Sequence, residues 1–172
     1  MPLVATLVEA CVQTVASAVA AEASGADRIE LCVDLLEGGL TPSAGILRAV
    51  RSRVQLPIHV LIRPRAGDFV YDEGDLEAML LDIREARRSG ADGVVLGALS
   101  REDTVDRELT ARLAAAARPL AITFHRAIDQ TPDLGAAVAT LVELGIERVL
   151  ASGGAETAEA GIPLLGRLVR TF

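Results

Sequence analysis

Two glutamate–cysteine pairs carry the first chemical signal in the sequence. Val8-Glu9-Ala10-Cys11 and Ile29-Glu30-Leu31-Cys32 each set a thiol two residues after a carboxylate at the end of a run of β-formers. Cys11 and Cys32 are the only cysteines in the chain. Residues two apart on a strand share a face, so each run presents a thiol and a carboxylate on one side. Two thiolates side by side suit a soft ion such as Cu(I), which prefers sulfur. The plain alternative is that both are buried as small apolar residues, a common fate of free cysteine. No Cys-x-x-Cys and no methionine-rich cluster is present, so the pattern is not that of a dedicated metallochaperone loop.

Three further groupings bear chemistry. Arg63-Pro64-Arg65, followed by Gly67-Asp68, offers two guanidiniums able to clamp a carboxylate or phosphate. The alternative is an ion pair that merely orders the loop, with Arg63 held by Glu30 or Asp68. The only histidines, His59 and His125, share the strand phase of the glutamates. Glu9, Glu30, His59 and His125 are therefore expected to converge for acid–base work or to hold a divalent ion. Ser152-Gly153-Gly154 opens a helix, where backbone N–H groups attract anions; an ordinary glycine turn is the competing reading. Glu37-Gly38-Gly39-Leu40-Thr41-Pro42-Ser43 reads as a loop and helix start, with Thr41 as N-cap, Pro42 at N1 and Glu37 as a candidate lid residue.

These side chains need a frame, and the periodicity supplies one. Strands are expected at Leu7–Val12, Arg28–Cys32, Ile58–Ile62, Gly93–Leu99, Leu120–His125 and Arg148–Ala151, each followed by a helix. Three junctions repeat one pattern: Gly25-Ala26-Asp27, Gly90-Ala91-Asp92 and Gly145-Ile146-Glu147. In each, glycine ends a helix and an acidic residue precedes a buried strand. Such βα repetition implies a parallel sheet, either doubly wound or a (β/α)8 barrel. Polar residues at several strand ends favour the barrel, which gathers those ends into one mouth. Six of eight units are visible, so the expectation is an incomplete TIM-like barrel, one domain over residues 1–172, with open edges on its first and last strands.

Composition narrows the partners. A net charge of −7 argues against a nucleic-acid surface. Aromatic residues are only 2% while half the chain is hydrophobic, so small aliphatics must fill the core, as in strands buried on both faces. The apolar stretch Leu3–Ala23 lacks a basic leader and is interrupted by Glu9, Gln13 and Glu22. It reads as strand then helix in a cytoplasmic protein, not as a signal peptide or membrane span.

With the strands placed, the chain resembles the CutC family of copper-homeostasis proteins. The resemblance rests on GADRIELC (Gly25–Cys32), EGGLTPS (Glu37–Ser43), PIHVLIRPRAGDF (Pro57–Phe69), LAITFHRAID (Leu120–Asp129) and ERVLASGG (Glu147–Gly154), in order along the chain. It implies a TIM-like barrel, in which this sequence is a C-terminally short member, and a function in copper homeostasis with Cys11 and Cys32 as Cu(I) ligands. The competing reading is an enzyme acting on a small anionic metabolite, phosphorylated ones included, with Arg63, Arg65, Ser152 and Gly153 holding the anion. A third reading is a degenerate barrel without activity. A homo-oligomer is expected, with no nucleic-acid or membrane partner.

Overall fold

The computed structural model describes residues 6–172, so Leu3–Ala5 of the apolar N-terminal stretch lie outside it. Six strands alternate with six helices: β1 (Glu9–Val12), α1 (Val15–Ala23), β2 (Arg28–Leu31), α2 (Ala44–Arg51), β3 (Ile58–Leu61), α3 (Glu73–Arg88), β4 (Gly93–Leu96), α4 (Arg107–Ala117), β5 (Ala121–Phe124), α5 (Leu134–Glu143), β6 (Arg148–Val149) and α6 (Ala158–Thr171). Each strand pairs in parallel with the next, in the order β1-β2-β3-β4-β5-β6. A doubly wound sheet reverses its order at a switch point. No reversal occurs here, and the six strands form a half-barrel.

The period-2 alternation sorts the strand residues onto two faces. Ile29, Leu31, Ile58, Val60, Val94, Leu96, Ile122 and Phe124 are buried in one core cluster with helix residues such as Leu47, Met79, Ile83, Leu113 and Leu141. The residues between them turn to the concave face, where Cys32, Leu61 and Val95 form a separate small apolar cluster. The polar side chains of the sequence signal share that face.

The repeated acidic junction has a structural cause. Asp27 accepts the backbone N–H of Val8 at 2.8 Å, Asp92 that of Ile58 at 2.9 Å, and Glu147 that of Ile122 at 3.0 Å. Each carboxylate thus satisfies an N–H within one residue of the start of the preceding strand, an orphan donor otherwise. The helices are capped as their sequences imply. The side chains of Thr14, Asp72, Asp106, Asp133 and Thr157 each accept a backbone N–H in the first turn, worth about 1 kcal/mol apiece.

The second helix starts later than expected. Ser43, not Thr41, is its N-cap and accepts the Ile46 N–H. The Thr41 hydroxyl is used elsewhere: it donates to the Arg63 carbonyl at 3.1 Å and accepts the Arg63 N–H at 2.9 Å. That exchange fastens the loop after β2 to the end of β3. β6 is also shorter than expected, and two 3₁₀ turns, Leu35–Glu37 and Arg126–Gln130, occupy stretches read as loop. No described helix is long and apolar enough to cross a membrane.

Candidate functional site

Parallel pairing of β1 with β2 aligns Cys11 with Glu30, and the Cys32 N–H donates to the Val12 carbonyl at 3.1 Å. This register brings the two thiols together: the Sγ atoms lie 3.5 Å apart. They are not equivalent, because Cys11 is exposed and Cys32 is fully buried. The hydrogen bond from Cys32 lowers the Cys11 pKa, against burial and the charges of Glu30 and Glu9. That bond, with burial and the neighbouring charges, pushes Cys32 up. The pair therefore ionises at Cys11 first, with Cys32 as the S–H donor.

The two carboxylates beside the thiols have diverged. Glu9 is ion-paired with Arg28, the inward residue two before Glu30. Glu30 is buried, and burial followed by the charge of Glu9 pushes it up to about 7, against the lowering effect of Arg28. A carboxyl poised there exchanges a proton near neutral pH.

Glu9, Cys11 and Glu30 line one side of a cavity of about 720 Å³ at the C-terminal ends of the strands. Arg63, Phe69 and His125 line the same cavity. Arg63 is nearly buried, and its Nη1 donates to the carbonyls of Glu37 and Gly39 at 2.7 and 3.0 Å, its Nη2 to that of Gly67 at 2.9 Å. It pairs with neither Glu30 nor Asp68. Its guanidinium lies 5.0 Å from the Phe69 ring centre, and that ring lies 4.9 Å from the ring of His125. The His125 Nδ1 accepts the Ala127 N–H at 3.2 Å, which leaves the neutral ring's proton on Nε2. Burial, then the charge of Arg63, lowers the His125 pKa to about 3.

Not every expected residue joins them. His59 sits in the first half of β3, beside Gly93, and does not line the cavity. Burial, then Arg28, lowers its pKa to about 4. Arg65 turns away from the cavity. It is bound by Asp75 at 2.9 Å, Asp68 at 3.0 Å and the Val70 carbonyl at 2.7 Å, and lies over the Tyr71 ring. Among the described residues, no three His, Cys, Asp or Glu side chains are placed to share a metal ion. The divalent site expected from two glutamates and two histidines is therefore not assembled, because the histidines stand at different depths.

The Ser152-Gly153-Gly154 turn already holds an anion from within the chain. The Asp129 carboxylate accepts the Ser152 N–H at 2.9 Å and the Gly154 N–H at 2.8 Å, and pairs with Arg126 at 3.1 Å. Burial raises the Asp129 pKa, but these hydrogen bonds together outweigh it and hold the carboxyl below its usual range.

Several participants escaped the sequence reading. Arg28, the partner of Glu9, lies two residues before Glu30, so the same alternation that found the glutamates would have found it. Phe69 left no such signal, since only loop packing brings it against His125.

The CutC family model matches residues 6–172. The chain belongs to the CutC family. It is 53% identical over 163 residues to the human copper homeostasis protein cutC homolog, covering 95% of this chain and 60% of that protein. A CutC family protein of Mesorhizobium japonicum is 45% identical over 164 residues, covering 95% and 64%. The chain thus spans about three fifths of the length of these CutC relatives. The crystal structure of CutC from Streptococcus agalactiae superposes with a TM-score of 0.91 at 32% identity, over 96% of this chain and 82% of that one. Phosphonopyruvate hydrolase, at 14% identity and a TM-score of 0.67, shares the fold alone.

Proposed function

We propose that this CutC-family chain binds Cu(I) through Cys11 and Cys32 as part of copper homeostasis. The observation that carries the reading is the 3.5 Å separation of the two Sγ atoms with Cys11 open to the cavity. Cu(I) is cargo here, and the donor set fits it. Soft thiolates select a soft ion, and the lack of a third donor among the described residues disfavours ions that require four. At sulfur–metal bonds of about 2.3 Å, a linear site needs the sulfurs to part by roughly 1 Å, which the exposed Cys11 can provide by rotation. Its lowered pKa makes Cys11 the thiol that ionises first. The relatives named for copper homeostasis support the assignment.

The test is a Cu(I) titration against a competing chromophoric chelator under reducing conditions. One equivalent per chain is expected, lost in both Cys11→Ser and Cys32→Ser. Undiminished stoichiometry in either variant refutes the assignment. The same reading takes residues 1–172 as one domain of a homo-oligomeric cytoplasmic protein, a compartment in which both thiols stay reduced.

A second reading, an enzyme acting on a small anionic metabolite, draws support from Glu30. A buried carboxyl near 7 in a cavity of this size is the usual equipment of a general acid or base. Double Cys→Ser substitution leaves such an activity intact, whereas it abolishes copper binding.

A further inference from the structure

Arg63 carries a buried charge that the chain does not neutralise. Among the described residues its guanidinium hydrogen-bonds only to carbonyl oxygens, beside the Phe69 ring, and none of the ion pairs includes it. Its Nε has no hydrogen-bond partner, and neither does the Nε2 of His125. Both side chains are only 6% exposed, and both line the same cavity with Phe69. Buried donors without acceptors are costly, and a buried cation without a counter-charge more so. Here both deficits meet at one wall.

We propose that the cavity binds the carboxylate of a small organic acid, held between the Nε edge of Arg63 and the Nε2–H of His125. Three features set the class of ligand. The unpaired charge is single, since His125 is neutral, and it matches one carboxylate better than a phosphate of charge near −2. A guanidinium edge with a neighbouring N–H matches a planar carboxylate. Leu35, Leu61, Phe69 and Leu150 form the apolar part of a lining that also holds Glu37, Arg126, Asp129 and Gln130, and that part suits an apolar body. On the negative side of the cavity, Glu9 is paired with Arg28 and Asp129 with Arg126. Neither orphan donor is exposed to the cavity, so uptake requires both side chains to rotate, Arg63 against its three carbonyl bonds. The site requires neither copper nor turnover, and uses donors other than the thiols, although Cys11 lines the same cavity.

The experiment is calorimetric titration of the wild-type protein with isovalerate, its neutral isostere isovaleramide, and inorganic phosphate. Isovalerate is expected to bind at least about tenfold more tightly than the other two, as loss of one charge-assisted hydrogen bond implies. Arg63→Lys and His125→Phe should each weaken isovalerate by about tenfold or more; the phenyl ring keeps the packing on Phe69 while removing the Nε2 donor, together with the Nδ1 acceptor of the Ala127 N–H. Cys11→Ser/Cys32→Ser should leave isovalerate affinity unchanged. The proposal is overturned if isovalerate does not bind, if isovaleramide or phosphate binds as tightly, or if His125→Phe, shown folded by circular dichroism, binds like wild type. Loss of isovalerate binding in the double cysteine variant also overturns it. None of these outcomes touches the Cu(I) stoichiometry, so the two sites fail or stand separately.

Discussion

The imidazole of His125 lies where a side chain on Gly97 would have to be. A Cβ built on Gly97 falls 2.6 Å from the ring, and one on Gly93 falls 2.6 Å from the ring of His59. Both glycines belong to the inward phase of the β4 segment, so the strand between the two histidines is stripped of side chains at the points where each ring docks. Gly97→Ala should cost about 1–3 kcal/mol, as overpacking does. Much of that cost should vanish on a His125→Ala background. Denaturant melts of the four proteins in this cycle measure the coupling; simple additivity would show that the ring and the glycine do not constrain one another.

Cys11 owes its lowered pKa first to the Cys32 thiol. Cys32→Ala removes that donor and should slow alkylation of Cys11 by iodoacetamide at pH 7 about fivefold or more, because the thiolate is the nucleophile. Cys32→Ser retains a hydroxyl donor and should preserve most of the rate. Equal rates in all three proteins would assign the reactivity of Cys11 to exposure alone.

Asp129 fills the turn before α6 as an internal anion. Asp129→Ala frees the Ser152 and Gly154 N–H groups and Arg126 together. The variant should lose about 1–3 kcal/mol of stability. Inorganic phosphate should then raise its melting midpoint, because the vacated N–H groups stand beside a cation. The wild-type midpoint should respond much less. A variant indifferent to phosphate would mean that the turn loses its shape with the carboxylate.

Acid acts on this fold in two opposed directions. His59 and His125, lowered to about 4 and 3 from 6.5, take up protons in the unfolded chain first. Each therefore subtracts stability as pH falls below about 6.5, by about 2 kcal/mol at pH 5. Glu30, raised from 4.5 to about 7, takes up its proton in the folded state first. It adds about 2 kcal/mol over the same interval. Glu30→Gln should therefore lose stability between pH 7 and pH 5 more steeply than wild type, by about 2 kcal/mol. Parallel losses in urea melts at the two pH values would place Glu30 near an ordinary carboxyl.

Much of this arrangement was legible from the chain. The strand–helix period and the Gly-x-Asp/Glu junctions marked all six units, and the alternation in Arg28-Ile29-Glu30-Leu31-Cys32 assigned the thiols and carboxylates to one face. These signals are local: a side chain's face follows from its position along its own strand, and a helix's start from its own cap. Thr41 shows the limit, since its cap-like sequence yields to a partner 22 residues away, Arg63 just after β3.

What only the tertiary structure decided is which of these residues meet. Register and stagger place Cys11 against Cys32 but leave His59 outside the cavity that His125 lines. Loop packing sends Arg65 outward to Asp75 and keeps Arg63 inward. It also spends the Ser152-Gly153-Gly154 turn on Asp129. Alternation along one strand fixes direction but not depth. Depth and occupancy arise from contacts between segments distant in sequence, and these exist only once the sheet has closed its curve.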